Sequence, residues 1–266
     1  MGGTGEENTQ TFWEHLDELR SCLIRAVVVT LCCALAAFFF KDGLFRVVLA
    51  PKSSDFVTYR LLDYISRKVM GEGLSGEAFS VDLINTQLAE QFMIHMKTAV
   101  YAGFMCASPY ILYLLFRFVS PALYVSERRH AVRMVGAGYV MFMLGTALNY
   151  FLVFPLTFRF LGTYQVSADV ENTITLQSYM DTMLMMNLMM GIVFEIPVLC
   201  WLLARIGVLH AGFMRRYRRH AIVLILIVAA IITPTSDVFT LLLVSLPMWF
   251  LYEAGIFVVK ATDRTR

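Results

Sequence analysis

Three carboxylates sit among neighbours that could give them chemistry. Glu127 leads the basic cluster of "SPALYVSERRHAVR" (Ser120–Arg133), which carries Arg128, Arg129 and Arg133. Glu18 belongs to "FWEHLDELR" (Phe12–Arg20), an acidic stretch ahead of the first long apolar run. Glu195 lies inside another apolar run, in "GIVFEIPVL", two residues before Pro197. A carboxylate in a partly dry pocket is a receptor for a cation, and the planar guanidinium fork matches it bidentately where an ammonium does not. A carboxylate at bilayer depth costs a few kcal/mol or more, so it faces a cavity, a water file or a polar partner. Each has a second, local reading. Ser126 could cap a helix with Glu127 at its positive end, and Glu18 could pair with nearby arginines. Glu195 could be a protonated acid bonded to Asn149 or Asn187.

No catalytic set competes with these carboxylates. The chain holds no GxxxxGK[ST], no GxGxxG opening a helix and no HExxH. Its five histidines are scattered near the ends of apolar runs, which predicts no metal site, no cofactor and no enzyme. "RRYRR" (Arg215–Arg219) stands beside an apolar run, where basic clusters meet anionic lipid and set topology, so nucleic acid is not the expected partner. "MDTMLMMNLMM" reads as adaptable helix packing.

The elements that must position these groups are membrane helices. Only 16% of the 266 residues are charged and 58% are hydrophobic, against about 25% charged in a soluble domain. Runs near the roughly 20 residues needed to cross a bilayer occupy Leu23–Phe40, Ala99–Phe116, Met134–Phe154 and Met183–Ala204. A last region, Ala221–Val259, is divided by "TPTSD" at Thr233–Asp237 into two short spans. The expectation is an all-α integral membrane protein of six transmembrane helices, the last two short, because helices satisfy their own backbone in hydrocarbon. The short pair is met either by thinning and water entry or by a turn that dips inward.

Five acidic residues precede the first span, which argues against a cleaved signal peptide. The five cysteines lie in or beside apolar helices with no metal spacing, so no disulfide framework is expected. Placing both termini in the cytoplasm puts fourteen of the 22 Lys and Arg on that side, as the positive-inside rule prefers. The single domain, 1–266, then divides into an N-terminal cytoplasmic segment 1–22, an external cap 41–93, cytoplasmic loops 117–133 and 205–220, and a tail 260–266. Within the cap, "FVTYRLLDYISRKV" is amphipathic, "GEGLSGEA" breaks it, and Leu83–Met93 reads as a second amphipathic stretch. An interfacial cap and a soluble partner-binding appendage both fit that pattern.

Eight stretches taken in order resemble the TatC family, the multispanning receptor subunit of the twin-arginine protein translocase. They are "HLDELRSCLIR", "LAP" at Leu49–Pro51, "EQFMIHMK", "FVSPALYVSERR", "NYFLVFPLTFRFL", "FEIPV", "TPTSDVF" and "YEAGIF". The resemblance implies a receptor for the paired arginines of signal peptides on folded substrates. Glu18 and Glu127 would receive the arginines, with Arg20, Phe118, Pro121, Leu123 and Tyr124 shaping the site; two separated carboxylates could read two arginines.

It further implies that Glu195, Asp237 and Pro234 contact single-span TatA-like and TatB-like partner helices, with Pro51 and Pro197 structural. It also implies self-association in a multimeric complex, the cytoplasmic (inner) membrane of a prokaryote, and a proton gradient as the energy source. The last turn departs from the family's usual "TPPD" by one extra residue, and Leu241 stands where a Gln is common. The rival class is a proton-coupled small-molecule transporter using Glu195. Such a protein would show internal repeats with matched broken helices, and "FEIPV" has no counterpart in the first half.

Overall fold

The computed structural model describes residues 12–70, 82–119, 131–165, 167, 173–233 and 237–263. In chain order the helices are α1 (Phe12–Phe38), α2 (Lys41–Val48), α3 (Val57–Met70), α4 (Glu90–Val119) and α5 (Ala131–Leu148). A five-residue π turn, Asn149–Val153, joins α5 to α6 (Phe154–Thr163). Then follow α7 (Leu176–Phe194), α8 (Ile196–Arg205), α9 (Ala211–Arg216), α10 (Arg218–Ile232) and α11 (Val238–Asp263). Among the described residues, five stretches are long and apolar enough to cross a membrane: Leu16–Phe38, Glu90–Phe118, Met134–Thr163, Leu176–Arg205 and Val238–Asp263. The short fifth span of the expected six corresponds to α10, whose 15 residues cover about 22 Å. The expected brevity does not extend to α11. Glu253 does not end that helix, because its carboxylate pairs with Arg218 of α10 at 2.6 Å and the helix runs on to Asp263.

Small residues set the helix spacing, since lipid offers no hydrophobic drive to pack helices and close backbone approach must supply it. Helix α1 lies antiparallel to α4. A Cβ on Gly103 would fall 2.4 Å from the backbone nitrogen of Ala34, and toward the other end Cys22 Sγ reaches Leu114 O at 3.9 Å. The rest of α1 is bare: Leu23, Val27, Leu31 and Leu35 are all exposed, as a lipid-facing helix requires. Helices α5 and α7 interlock through Gly145, packed on Met190 O and Phe194, and Gly191, packed on Phe142. Gly145→Ala is therefore expected to cost about 1–3 kcal/mol through overpacking, seen as earlier loss of helicity on heating in detergent. Gly136→Ala, whose methyl would meet open space, is the control and should not melt earlier.

The methionine-rich helix α7 is the centre of the core. Met180, Met183, Met186 and Met190 are buried against Phe154, Phe158 and Tyr179. Beside them Asn149 Nδ2 donates to Asn187 Oδ1 at 2.8 Å. The two asparagines thus bond to one another, with the Asn149 Oδ1 left buried and without a partner among the described residues, and neither bonds to Glu195 as the local reading suggested.

At the end of the bundle where α1 finishes and α4 begins, α2 and α3 cap it and are tied to it by phenols. Tyr59 donates to Pro51 O (3.2 Å) and Pro155 O (3.0 Å), Tyr179 to Val48 O (3.0 Å), and Tyr150 to Val47 O (2.7 Å). Burial pushes the Tyr59 pKa up, which keeps the phenol a donor. Thr58 also donates to Phe151 O. The stretch Leu83–Met93 differs from its expected amphipathic helix. Leu83–Ile84 forms β1, paired in parallel with β2 (Ile174–Thr175), and α4 starts only at Glu90.

Candidate functional site

Of the residues proposed to read arginines, the structure describes Glu18, Arg20 and Phe118; Glu127, Pro121, Leu123 and Tyr124 lie outside the described residues. The antiparallel seam puts two of the three at one level. From the Cys22–Leu114 contact, Glu18 is one turn back on α1 and Phe118 one turn on along α4, about 6 Å each. Both reach the same level at the end of the bundle remote from the cap. Phe118 is half-buried there and Arg20 is exposed. Glu18 has its Oε2 buried and, among the described residues, without a hydrogen-bond partner. The local reading, in which a neighbouring arginine occupies Glu18, is absent from the described ion pairs. A carboxylate oxygen withdrawn from solvent and unbonded is costly to keep, and an incoming guanidinium would satisfy it.

The second carboxylate is set by a broken helix. Between α7 and α8, Glu195 N donates to Ile192 O, three residues back, at 3.1 Å. Pro197, buried at the start of α8, has no N–H to continue the ladder. The break turns the Glu195 side chain toward α5, where a Cβ on Gly138 would sit 3.1 Å from its Oε2. Its Oε1 is buried with no hydrogen-bond partner among the described residues. The carboxylate borders a cavity of about 250 Å³ whose walls include Phe104, Ile111, Leu115, Phe142 and Leu199. Ser108, also in the wall, spends its hydroxyl on Met105 O at 2.7 Å. A lone acid in an apolar chamber between helices can serve a polar group delivered by another helix.

Asp237 is described, whereas Pro234 lies outside the described residues. Asp237 stands at the N-terminus of α11 and its Oδ2 accepts from Thr240 N at 2.7 Å, a helix cap. Pro51 is buried in the cap and receives the Tyr59 hydroxyl. Sequence reasoning missed Glu90, which is 3% exposed. Its Oε2 accepts from Thr86 N (2.9 Å), Gln87 N (3.1 Å) and Thr86 Oγ1 (3.4 Å), while Oε1 accepts from Gln177 N (2.8 Å). One carboxylate thus serves the N-terminal ends of both α4 and α7. Thr86 stands four residues before Glu90, one off the spacing of a capping box, so the sequence carried no clear signal for it. Glu90→Ala is expected to lower the thermal midpoint by about 5 °C, with Glu90→Gln losing less because its amide oxygen still accepts.

The family model described as Sec-independent protein translocase protein (TatC) matches residues 14–247. A Sec-independent protein translocase protein TatC from Blattabacterium sp. subsp. Periplaneta americana (strain BPLAN) is 32% identical over 256 residues, covering 95% of this chain and 96% of the relative. One from Deinococcus radiodurans is 33% identical over 245 residues, covering 92% and 83%. A crystal structure titled as the twin arginine translocase receptor TatC superposes with a TM-score of 0.75 at 31% identity, over 94% of this chain and all of that one.

Proposed function

Since this chain belongs to the TatC family of Sec-independent protein translocase proteins, we propose that it is the receptor for twin-arginine signal peptides and the core of a protein-export complex. It is a multispanning membrane protein of a transport family rather than an enzyme class. The observation that carries the receptor reading is the buried Oε2 of Glu18, without a hydrogen-bond partner among the described residues, at the level of Phe118. Glu18 takes one guanidinium of the Arg-Arg pair and Glu127 the other. Arg20, Phe118, Pro121, Leu123 and Tyr124 form the surrounding wall and meet the apolar part of the peptide. An exposed ion pair is worth only about 0–1 kcal/mol, so withdrawal of the carboxylate from solvent is what gives selectivity.

Glu195 receives a polar side chain from a TatA-like or TatB-like single-span helix entering its chamber, and Asp237 and Pro234 extend that contact at the far end. Copies of the chain assemble with these partners in the cytoplasmic membrane, termini inside, and the proton gradient supplies the energy. Binding of a fluorescent signal peptide to the purified protein in nanodiscs tests the reading. An Arg-Arg peptide should bind and its Lys-Lys counterpart should bind much more weakly. Equal binding of both by folded protein would overturn the receptor assignment.

A further inference from the structure

A second recess lies on the cap-side half of the bundle, between α1, α4 and α7, with a volume of about 830 Å³. Its walls are mostly apolar, with Met93, Val100, Phe104, Met185 and Leu188 among them. Thr30, which spends its hydroxyl on Ala26 O at 2.8 Å, and Tyr101 also line it, and one charged pair interrupts the walls. Lys97 Nζ meets Asp181 Oδ1 at 2.7 Å, and the two side chains remain 44% and 42% exposed. Both belong to membrane-spanning stretches. Lys97 is seven residues past the start of α4 and Asp181 five past the start of α7, roughly 10 and 8 Å in from the cap-side ends.

A half-exposed ion pair on a lipid-facing wall is expensive unless something polar covers it. The dimensions of the recess say what does. From Met93 to Phe104 it follows α4 for about 16 Å, close to one leaflet of a hydrocarbon core about 30 Å thick. At that point the Phe104 ring, 6.0 Å from Phe142, divides it from the chamber of Glu195. The recess is therefore one leaflet deep with its charges in the outer half, which is the layout of a lipid rather than of a spanning helix. The charges also choose the headgroup. A phosphate suits Lys97, a primary ammonium can donate to Asp181, and a purely anionic headgroup would meet the repulsion of Asp181. Methionines give the flexible wall that fits acyl chains of varied shape. We propose that this recess binds one phospholipid of the cap-side leaflet through a headgroup carrying both a phosphate and a primary ammonium, held by Lys97 and Asp181.

Native mass spectrometry of the protein released from vesicles of equal phosphatidylethanolamine, phosphatidylcholine and phosphatidylglycerol tests this. Phosphatidylethanolamine should be retained several-fold over the other two. Phosphatidylcholine is the discriminating control, since its quaternary ammonium has no N–H. Lys97→Met combined with Asp181→Leu should abolish the preference. Asp181→Asn alone, which leaves the cation, should move it toward phosphatidylglycerol, a shift that a purely structural ion pair would not cause. Equal retention of the three lipids by the unmodified protein would overturn the proposal, as would a preference unchanged in both variants. A photoreactive residue at Leu188 should label lipid; labelling of a second copy or of a single-span protein instead would also overturn it.

Discussion

Glu18→Ala is expected to weaken binding of an Arg-Arg signal peptide by about thirtyfold, while binding of the Lys-Lys peptide, already weak, changes little. The magnitude follows from truncating one member of a desolvated, hydrogen-bonded charge pair, about 2 kcal/mol or more. The selectivity follows from geometry, because only the guanidinium loses a bidentate match. Glu18→Gln keeps one acceptor of similar reach and should fall between the two. Fluorescence anisotropy in nanodiscs reads all three proteins directly. Stability should separate the receptor role from a structural one. The Glu18 Oε2 has no hydrogen-bond partner among the described residues, so its removal should leave the thermal midpoint unchanged or slightly raised. A variant that melts early would point instead to a structural role for Glu18. Adding Glu127→Ala should bring the affinity for Arg-Arg down to that for Lys-Lys, as two carboxylates reading one arginine each require.

What sequence reasoning recovered and what it missed divide along a physical line. Long apolar runs carry their own signal, so the positions of five spans, though not their ends, the break at Pro197 and the placement of Glu195 were readable. Strands of two residues leave no alternation to detect, and Leu83–Ile84 was accordingly read as part of a helix. Pairings between distant helices were equally invisible. Asn149 and Asn187 were both noticed, yet nothing in their spacing says that they bond to each other. Lys97 and Asp181 are 84 positions apart. Glu253 was taken as a terminator because its partner, Arg218, belongs to another helix. Glu90 was visible only as one more acidic residue at a helix start, because half of its work is done for α7. Of the proposed arginine-reading site, the α1–α4 seam explains why Glu18 and Phe118, far apart in sequence, stand at one level.

The other large effect is expected at Glu195. Glu195→Leu should reduce retention of the single-span partner helix about tenfold, the value of one interhelical hydrogen bond of about 1–2 kcal/mol, and should stop export in cells carrying an Arg-Arg reporter. Signal-peptide binding should survive: α4 contributes to both places, but Glu18 stands on α1, whereas Glu195 stands at the α7–α8 break and faces α5. Stability again makes the argument sharp. The carboxylate has one oxygen with no hydrogen-bond partner among the described residues and an apolar chamber around it. Leucine there should hold or raise the thermal midpoint while function is lost, the pattern of a group kept for a contact outside the chain. Glu195→Gln, still able to bond across helices, should keep part of the partner retention. Gly138→Ala places a methyl 3.1 Å from Oε2 and should displace the carboxylate, giving a smaller loss in the same direction. If Glu195→Leu melts early with partner retention intact, the carboxylate is structural, and the chamber is not where the partner helix docks.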